Sequence, residues 1–176
     1  MSLHVRPATV RDAAGCAEVY APYVLGTAVS FETEPPDPAA MAGRIEAAQA
    51  SHAWLVAEDD GVLLGYAYAG PYRSRPAYRW TAEVSVYVAA GAHGRGVGRA
   101  LYQALLARLV QRGYRTAVAG TTLPNPASLA LHEALGFTPA GVLHAVGWKA
   151  GRWHDVALLE LALGEGAPEE TPAEPR

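Results

Sequence analysis

The sequence is poor in the features that mark secreted, membrane, nucleic-acid-binding and metal proteins. It has one cysteine, Cys16, among 176 residues, so it cannot form an internal disulfide, and a reducing cytoplasm is expected. No uncharged apolar run reaches the roughly 20 residues of a membrane span, and the N-terminus lacks the apolar segment of a secretory signal. The net charge of −3 argues against a broad basic face for nucleic acid. His144 and His154 lack metal-ligand spacing, so we expect no metal.

The apolar content is sufficient for one sizeable core. Half of the residues (51%) are hydrophobic, and the length suits a single domain. We predict one domain over residues 1–163. From Gly164 to Arg176 the chain carries four glutamates among three prolines, and we predict that this acidic tail is disordered.

The most informative stretch runs from Trp80 to Gly113 and reads as a strand, a glycine-rich turn and a long helix. In the strand, small apolar side chains alternate with polar ones, which places Glu83 on the face opposite to Val84 and Val86. A carboxylate on the polar face of a strand that leads into such a turn suggests a cofactor-dependent enzyme.

The turn itself has the chemistry of an anion site. Gly96 and Gly98 leave backbone N–H groups at the helix start uncovered, and Arg95 and Arg99 flank them. These groups suit a phosphate or pyrophosphate. A Walker loop is excluded because Val97 stands where lysine is needed, and a dinucleotide fingerprint is excluded because Arg99 replaces its third glycine. A purely structural glycine turn is the alternative.

The rest of the chain mixes strands and helices. Asp37 before Pro38 and Asn125 before Pro126 are typical helix starts, and Asp59-Asp60-Gly61 is a hairpin turn. The predicted strands are 3–6, 54–58, 62–68, 80–88, 115–121, 137–145 and 153–163, and the predicted helices are about 10–25, 38–50, 97–112 and 126–135. This order favours an α+β fold in which a mixed sheet has helices on both faces.

The segment HGRGVGRAL after an apolar strand resembles the pyrophosphate loop of GCN5-related N-acetyltransferases (GNATs). His93 occupies the place where that family usually has Gln or Arg. Downstream, Asn125, then His132 and then Leu135-Gly136-Phe137 match a second family motif, in which many relatives carry tyrosine in place of His132. The blocks GYAYAGPYRSRPAYRWTAE, LPNPASLALHEALGF and GWKAGRWHDV are similar to the phosphinothricin and methionine sulfoximine N-acetyltransferase branch, and the similarity extends from Val5 to about Leu163.

The resemblance implies a GNAT-type fold: a central, mostly antiparallel mixed sheet of six to seven strands. It also implies acetyl-CoA as cosubstrate, no metal, and direct transfer in a ternary complex. The backbone of Val86, Tyr87 and Val88 would pair with the pantetheine arm. The pyrophosphate would lie on the turn formed by Gly94, Arg95, Gly96, Val97, Gly98 and Arg99. Asn125 would contact the cofactor near the thiol, a role that can coexist with that of a helix N-cap.

Two side chains are catalytic candidates. Glu83 would be the general base, because burial can raise its pKa toward a useful value; the alternative is a carboxylate paired with Arg79 or another cation. His132 would be the second catalytic residue and would act as base, acid or positioning group; a satisfied core histidine is the alternative. Cys16 has no His or Asp partner by motif, so we expect core packing and no acetyl-cysteine intermediate.

An amino-acid acceptor carries a carboxylate that arginine binds in a bidentate manner. We therefore predict Arg73, Arg75 and Tyr78 as substrate-binding residues, with Phe31 closing the pocket; solvent-facing arginine and an aromatic at the core edge are the alternatives. The resemblance also implies a homodimer. Two other functions stay open: acetylation of a polyamine or a protein N-terminus, and a CoA-binding module without catalysis.

Overall fold

The computed structural model of the chain describes residues 3–164 and 172–176. Its strands are β1 (His4–Pro7), β2 (Ala53–Asp59), β3 (Val62–Pro71), β4 (Thr81–Val88), β5 (Thr116–Thr122), β6 (Thr138–Lys149) and β7 (Arg152–Ala162). Its α-helices are α1 (Ala13–Gly26), α2 (Pro38–Ser51), α3 (Val97–Arg112) and α4 (Pro126–Ala134). Single 3-10 turns lie at Val10–Asp12, Pro76–Tyr78 and Ala90–Ala92.

The strands form one sheet in the order β1-β2-β3-β4-β5-β7-β6. Within the described residues, β4 and β5 are parallel neighbours, and the other neighbouring pairs are antiparallel. This arrangement confirms the predicted mixed, mostly antiparallel sheet. The parallel pair has the shortest described pairing in the sheet, with three register pairs, Thr81–Glu83 against Thr116–Val118.

Local sequence signals explain where the elements begin and end. The Asp37 side chain accepts a hydrogen bond of 2.7 Å from the Ala40 N–H and thereby caps α2. Asp60 and Gly61 both have positive φ, as a two-residue turn between twisted strands requires, and they join β2 to β3. Gly113 has φ +92° and ends α3 in the left-handed conformation.

Three element boundaries differ from the sequence prediction by three residues or more. The first α-helix begins at Ala13 and not at Val10, because a 3-10 turn precedes it. Strand β3 continues to Pro71, three residues further than predicted, since it pairs with β4 along this length. Strand β6 continues to Lys149, where the two-residue turn Ala150-Gly151 leads into β7.

The alternation predicted for β4 separates two apolar clusters. Ala82 and Val84 are buried against α3 on one face of the sheet. Tyr87 packs on the other face with α1 and α2, where Cys16 is completely buried. Burial raises the pKa of the Cys16 thiol to about 12, so this cysteine is an inert core residue, as expected.

Residues 172–176 lie against the domain. The Trp80 indole N–H donates to the Ala173 carbonyl at 2.9 Å, and the Arg176 N–H donates to the Arg112 carbonyl at 2.8 Å. Residues 165–171 of the tail lie outside the described residues, and its disorder stays a prediction.

Across 3–164 and 172–176, none of the helices has both the length and the apolarity to cross a membrane. The same residues contain no group of three or more His, Cys, Asp or Glu side chains placed to hold a metal ion.

Candidate active site

The candidate site begins where β4 and β5 separate. Their pairing ends at Glu83 and Val118, and beyond these residues one edge of β4 faces an opening in the sheet. The Ala89 N–H donates to the Leu64 carbonyl at 2.9 Å, which fixes the hydrogen-bond alternation between β3 and β4. By this alternation the backbone of Val86 and Val88 faces the opening, whereas that of Tyr87 faces β3.

Side chains from five parts of the chain meet at this opening. They surround a small cavity of about 50 Å³. Its lining includes Val29 from the loop after α1, strand residues 84–87 of β4, Tyr102 of α3, 120–122 of β5, and Asn125, Ser128 and His132 of α4. Of the two predicted catalytic residues, His132 lines this cavity, and Glu83 directly precedes the strand residues that do.

The glycine turn lies at the far end of this edge. Gly94 and Gly96 have φ +72° and +79°, a conformation that costs a residue with a Cβ about 1–2 kcal/mol. A Cβ at either position would meet no atom within 4 Å, so the backbone here is open to a ligand. Gly96 is the N-cap of α3 and supplies no capping side chain, which leaves the first N–H groups of the helix to an anion.

His93 has a role inside the protein at the start of this turn. Its Nε2 lies 3.0 Å from the Val88 carbonyl oxygen and 3.0 Å from the Tyr23 hydroxyl, and Tyr23 donates to the same carbonyl at 2.6 Å. These contacts tie the turn to α1 and satisfy the Val88 carbonyl. The Val88 N–H is then the group that this residue offers to a ligand.

Glu83 lies on the α1–α2 face at the point where the strands part. Its side chain reaches solvent, yet the surrounding protein raises its pKa above the ordinary value by desolvation, and the positive charge of Arg73 partly opposes this. The predicted alternative partner, Arg79, instead pairs with Glu174 and stacks over Trp80. A carboxylate with a raised pKa beside a cleft is suited to accept a proton near neutral pH.

His132 is 3% exposed and uses both ring nitrogens. Nδ1 lies 2.7 Å from the Ser128 carbonyl oxygen, which can only accept, so Nδ1 carries the proton. Nε2 lies 3.1 Å from the Tyr102 hydroxyl and therefore accepts from it in the neutral ring. Desolvation lowers the pKa of His132, which keeps the ring neutral at pH 7, although the Ser128 carbonyl opposes this shift.

Asn125 caps α4, as expected. Its side-chain oxygen accepts from the Ser128 N–H at 3.1 Å, and Ser128 also contacts the Thr121 hydroxyl at 3.1 Å. Asn125 lines the cavity as well. The cap therefore places this amide at the opening, where the predicted cofactor contact would be made.

In the arginine-rich segment between β3 and β4, Arg73 lies beside two tyrosine rings that contact each other edge to face. The Arg73 guanidinium carbon lies 5.1 Å from the Tyr72 ring centroid and 5.9 Å from that of Tyr78. Arg73 and Arg75 are both exposed. The interaction of Arg73 with Glu83 connects this segment to the opening, whereas Arg75 has no such link among the described contacts.

Phe31 packs against the β6–β7 hairpin. A Cβ on Gly147 would come within 2.2 Å of the Phe31 ring, so only glycine allows this contact. Lys149 clamps the same loop, since its Nζ donates to the Val24 carbonyl at 2.7 Å and to the Ser30 carbonyl at 2.6 Å. The residue of this loop that lines the small cavity is Val29.

Sequence reasoning missed Tyr102, Tyr23 and Lys149. Tyr102 is 30 positions from His132, Tyr23 is 65 from Val88, and Lys149 is 125 from Val24. No motif joins such pairs, because their contacts arise only when separate elements pack. The one visible signal is a tyrosine among the apolar residues Val97, Leu101 and Leu105 of α3.

Comparison with known proteins agrees with this fold. A family model described as "Acetyltransferase (GNAT) family" matches residues 17–137. The chain belongs to the acetyltransferase (GNAT) family. The glycine turn and Glu83 both lie inside the matched region.

Among the relatives of this GNAT protein is the phosphinothricin N-acetyltransferase of Streptomyces viridochromogenes. The two are 41% identical over 99% of this chain and 92% of that one. The L-methionine sulfoximine/L-methionine sulfone acetyltransferase of Salmonella typhimurium is 38% identical over 93% of this chain and 96% of that one. A solved structure of a phosphinothricin acetyltransferase from Sinorhizobium meliloti in complex with AcCoA superposes with a TM-score of 0.93, at 38% identity over 99% of this chain and 95% of that one.

Proposed function

We propose that this protein transfers the acetyl group of acetyl-CoA to the α-amino group of a small amino acid or analogue, of the phosphinothricin or methionine sulfoximine type. The observation that carries the proposal is the placement of Glu83 at the opening between β4 and β5, next to a free strand edge that ends at the glycine turn. The similarity to acetyltransferases of those two substrates supports it.

The residues present fit acetyl-CoA. The open backbone from Gly94 to Gly98 and the positive end of α3 would hold the diphosphate, with Arg95, Val97 and Arg99 in the same turn. The free edge of β4 at Val86 and Val88 would bind the pantetheine amides as an added strand. When bound, acetyl-CoA supplies an activated acetyl thioester.

Glu83 is proposed as the general base. An amino acid reaches the site as an ammonium, and its nitrogen must lose a proton before it can attack. Glu83 accepts that proton, either directly or through a water molecule, because its raised pKa makes it a better base than an exposed glutamate. A backbone N–H of β4 at the opening would donate to the thioester oxygen.

His132 is proposed to act through Tyr102. Since both of its ring nitrogens are engaged, the imidazole orients the Tyr102 hydroxyl toward the opening between the strands. The Tyr102 hydroxyl has one proton, so it would turn from His132 Nε2 to donate a hydrogen bond to the leaving sulfur. Burial raises the pKa of Tyr102, so the hydroxyl stays protonated throughout.

The acceptor carboxylate is proposed to bind Arg73, with Arg75 and Tyr78 beside it. Arg73 lies beside the Tyr72 and Tyr78 rings, and its positive charge partly opposes the rise in the pKa of Glu83. One guanidinium can bind a carboxylate in a bidentate manner. Phe31 would contribute by fixing the loop that carries Val29 into the site.

We also propose a homodimer that operates in the cytoplasm. The tip of the β6–β7 hairpin exposes Trp148 and Trp153 by 59% and 61%, and Val146 and Leu143 on β6 are exposed as well. An edge strand with such an apolar surface suits burial against a second copy.

The decisive experiment is an acceptor screen in which acetyl-CoA is supplied and free thiol is measured. We expect release with phosphinothricin, methionine sulfoximine or common α-amino acids. Release of thiol only with polyamines or peptide N-termini would show that the acceptor is one of those amines and not an α-amino acid. Binding of acetyl-CoA by calorimetry without release for any amine would instead indicate a non-catalytic binding module.

A further inference from the structure

A second and much larger cavity lies between α2 and strands β2 and β3. Its volume is about 420 Å³, which falls within the range of small-molecule sites, about 300–1,000 Å³. One wall is an aromatic stack in which the Trp54 ring lies 5.1 Å from that of Tyr66 and 4.6 Å from that of Tyr68. On the opposite side, α2 contributes Met41, Arg44, Ala47, Ala48 and Ser51. Most of the lining is apolar, since Met41 and the methyl groups of Ala47 and Ala48 face the aromatic stack.

This cavity lies beside Glu83. Gly70 and Pro71 line it, and Gly70 is the direct neighbour of Glu83 across β3 and β4. Directly paired residues on neighbouring strands are about 5 Å apart and face the same side of the sheet. Tyr68 lies on the same face, and its pKa is raised by desolvation and, to a smaller extent, by the charge of Glu83. No atom would lie within 4 Å of a Cβ at Gly70, so the passage from the carboxylate to the cavity is open.

Arg73, which is proposed to bind the acceptor carboxylate, lies near the Pro71 end of this cavity. Pro71 ends β3 and lines the cavity, and Arg73 follows two residues later. At the edge of the cavity, Arg44 donates to both Glu32 oxygens, at 2.7 and 2.9 Å, and Tyr20 donates to Glu32 at 2.9 Å. Arg44 and Glu32 satisfy each other, so an uncharged side chain can occupy the cavity without leaving either charge unpaired.

We infer that this cavity binds the side chain of the acceptor, and that the preferred substrates are α-amino acids with a long or aromatic apolar side chain. The inference rests on the proposed function and makes it more specific. An amino acid with its nitrogen at Glu83 and its carboxylate at Arg73 has a third substituent, and that side chain passes over Gly70 to the wall formed by Trp54 and Tyr68.

The test begins with the unaltered enzyme and a series of α-amino acids: alanine, norvaline, norleucine, methionine and phenylalanine. Each methylene that enters an apolar cavity should raise kcat/KM by about fourfold. We expect a steady rise along the straight-chain acceptors and good activity with phenylalanine. A flat or falling series, with transfer still observed, would overturn the inference and leave the proposed function intact.

Two matched variants locate the effect. Ala48→Leu fills the cavity, whereas Ala50→Leu makes the same change at an exposed position of α2 outside it, and the helix propensities of Ala and Leu are close. We expect Ala48→Leu to lower kcat/KM for norleucine and phenylalanine roughly tenfold or more and to leave alanine nearly unchanged. Ala50→Leu should not change kcat/KM for any of these three acceptors. If Ala48→Leu fails to fold, Ala47→Leu at the exposed rim of the same cavity replaces it.

The outcomes are distinct. An equal loss for every acceptor with Ala48→Leu, or an equal effect of Ala48→Leu and Ala50→Leu, would contradict side-chain binding here. Failure of every α-amino acid, with phosphinothricin and methionine sulfoximine included, would overturn the proposed function and this inference together.

Discussion

At the scale of single residues, the chemistry depends on how burial sets protonation. The pKa values of Glu83 and His132 are shifted in opposite directions, because desolvation raises the pKa of the carboxylic acid and lowers that of the imidazole. Both shifts favour the neutral form, because the charged form loses its hydration in each case. Near neutral pH the result is a more basic carboxylate on one side of the opening and a neutral, fixed imidazole on the other.

Glu83→Gln is expected to lower kcat by about 10²–10⁴-fold, since the amide cannot accept the ammonium proton. The dissociation constant of acetyl-CoA, measured by calorimetry, should hardly change. Glu46→Gln, on the exposed side of α2, is the control and should keep full activity. A Glu83→Gln enzyme with unaltered kcat would remove Glu83 from the mechanism.

The pH dependence of kcat/KM has a definite sign. The base works in its deprotonated form, so activity should rise with pH and fall as pH drops through the pKa of Glu83, which desolvation raises above the ordinary value. The measurement is a pH–rate profile of the unaltered enzyme. An acidic limb at or below the pKa of an exposed glutamate, about 4.3, would contradict this assignment.

Tyr102→Phe removes the donor to His132 while keeping the ring that packs against Phe137. We expect a fall in kcat of roughly 10–100-fold with little change in the KM for acetyl-CoA, because the hydroxyl would act on the leaving sulfur and not on binding. Tyr114→Phe is the matched control, since its hydroxyl donates to the Ser51 carbonyl. Equal losses in the two variants would indicate a general structural effect.

At the scale of elements, the β4–turn–α3 unit holds the groups proposed to bind the cofactor. The turn has left-handed residues at Gly94 and Gly96, and the helix that follows begins without a capping side chain. Gly98 allows close packing, since its Cβ would lie 3.3 Å from Leu131 and 3.6 Å from Val88.

Gly96→Ala should therefore impair this unit specifically. The left-handed conformation costs an alanine about 1–2 kcal/mol, so we expect a lower free energy of unfolding together with weaker binding of acetyl-CoA. Calorimetry and denaturant unfolding provide the two measurements. Gly43→Ala in α2 is the control: it has open space around its Cβ and should stabilise by about 0.5–1 kcal/mol without affecting binding. Unchanged acetyl-CoA binding in Gly96→Ala would rule out the turn as the diphosphate site.

At the scale of the whole molecule, the central strands of the sheet and its edge strand β6 differ in what covers them. Helices cover the central strands, whereas β6 is exposed along nearly its whole length. If a second copy covers this edge, the hairpin and the Phe31 loop attached to it belong to both the interface and the site.

Trp153→Arg should consequently shift a dimer toward monomer, because a charge would be buried without a partner. The measurement is molar mass by light scattering after size exclusion. Val62→Arg places the same charge at an exposed apolar residue of the β2–β3 hairpin and should leave the mass unchanged. A Trp153→Arg protein of unaltered mass would place any dimer contact elsewhere.

The amount that could be predicted from sequence differed between local and distant features. The strand alternation around Glu83, the caps at Asp37 and Asn125 and the turn at Gly96 depend on neighbours within a few residues, so the pattern was sufficient to predict them. The extents of β3 and β6 were underestimated, because a strand ends where its partner ends and the partner is distant in sequence.

The sequence by itself determined the elements, the alternating faces of β4 and the chemistry of the glycine turn, because period, capping and backbone conformation are local properties. Only the tertiary structure decided that β4 and β5 part after Glu83, that Tyr102 reaches His132, and that small residues of α2 face an aromatic wall beside the carboxylate. Each of these depends on packing between segments far apart in the chain, where shape and desolvation set the contacts and no local pattern records them.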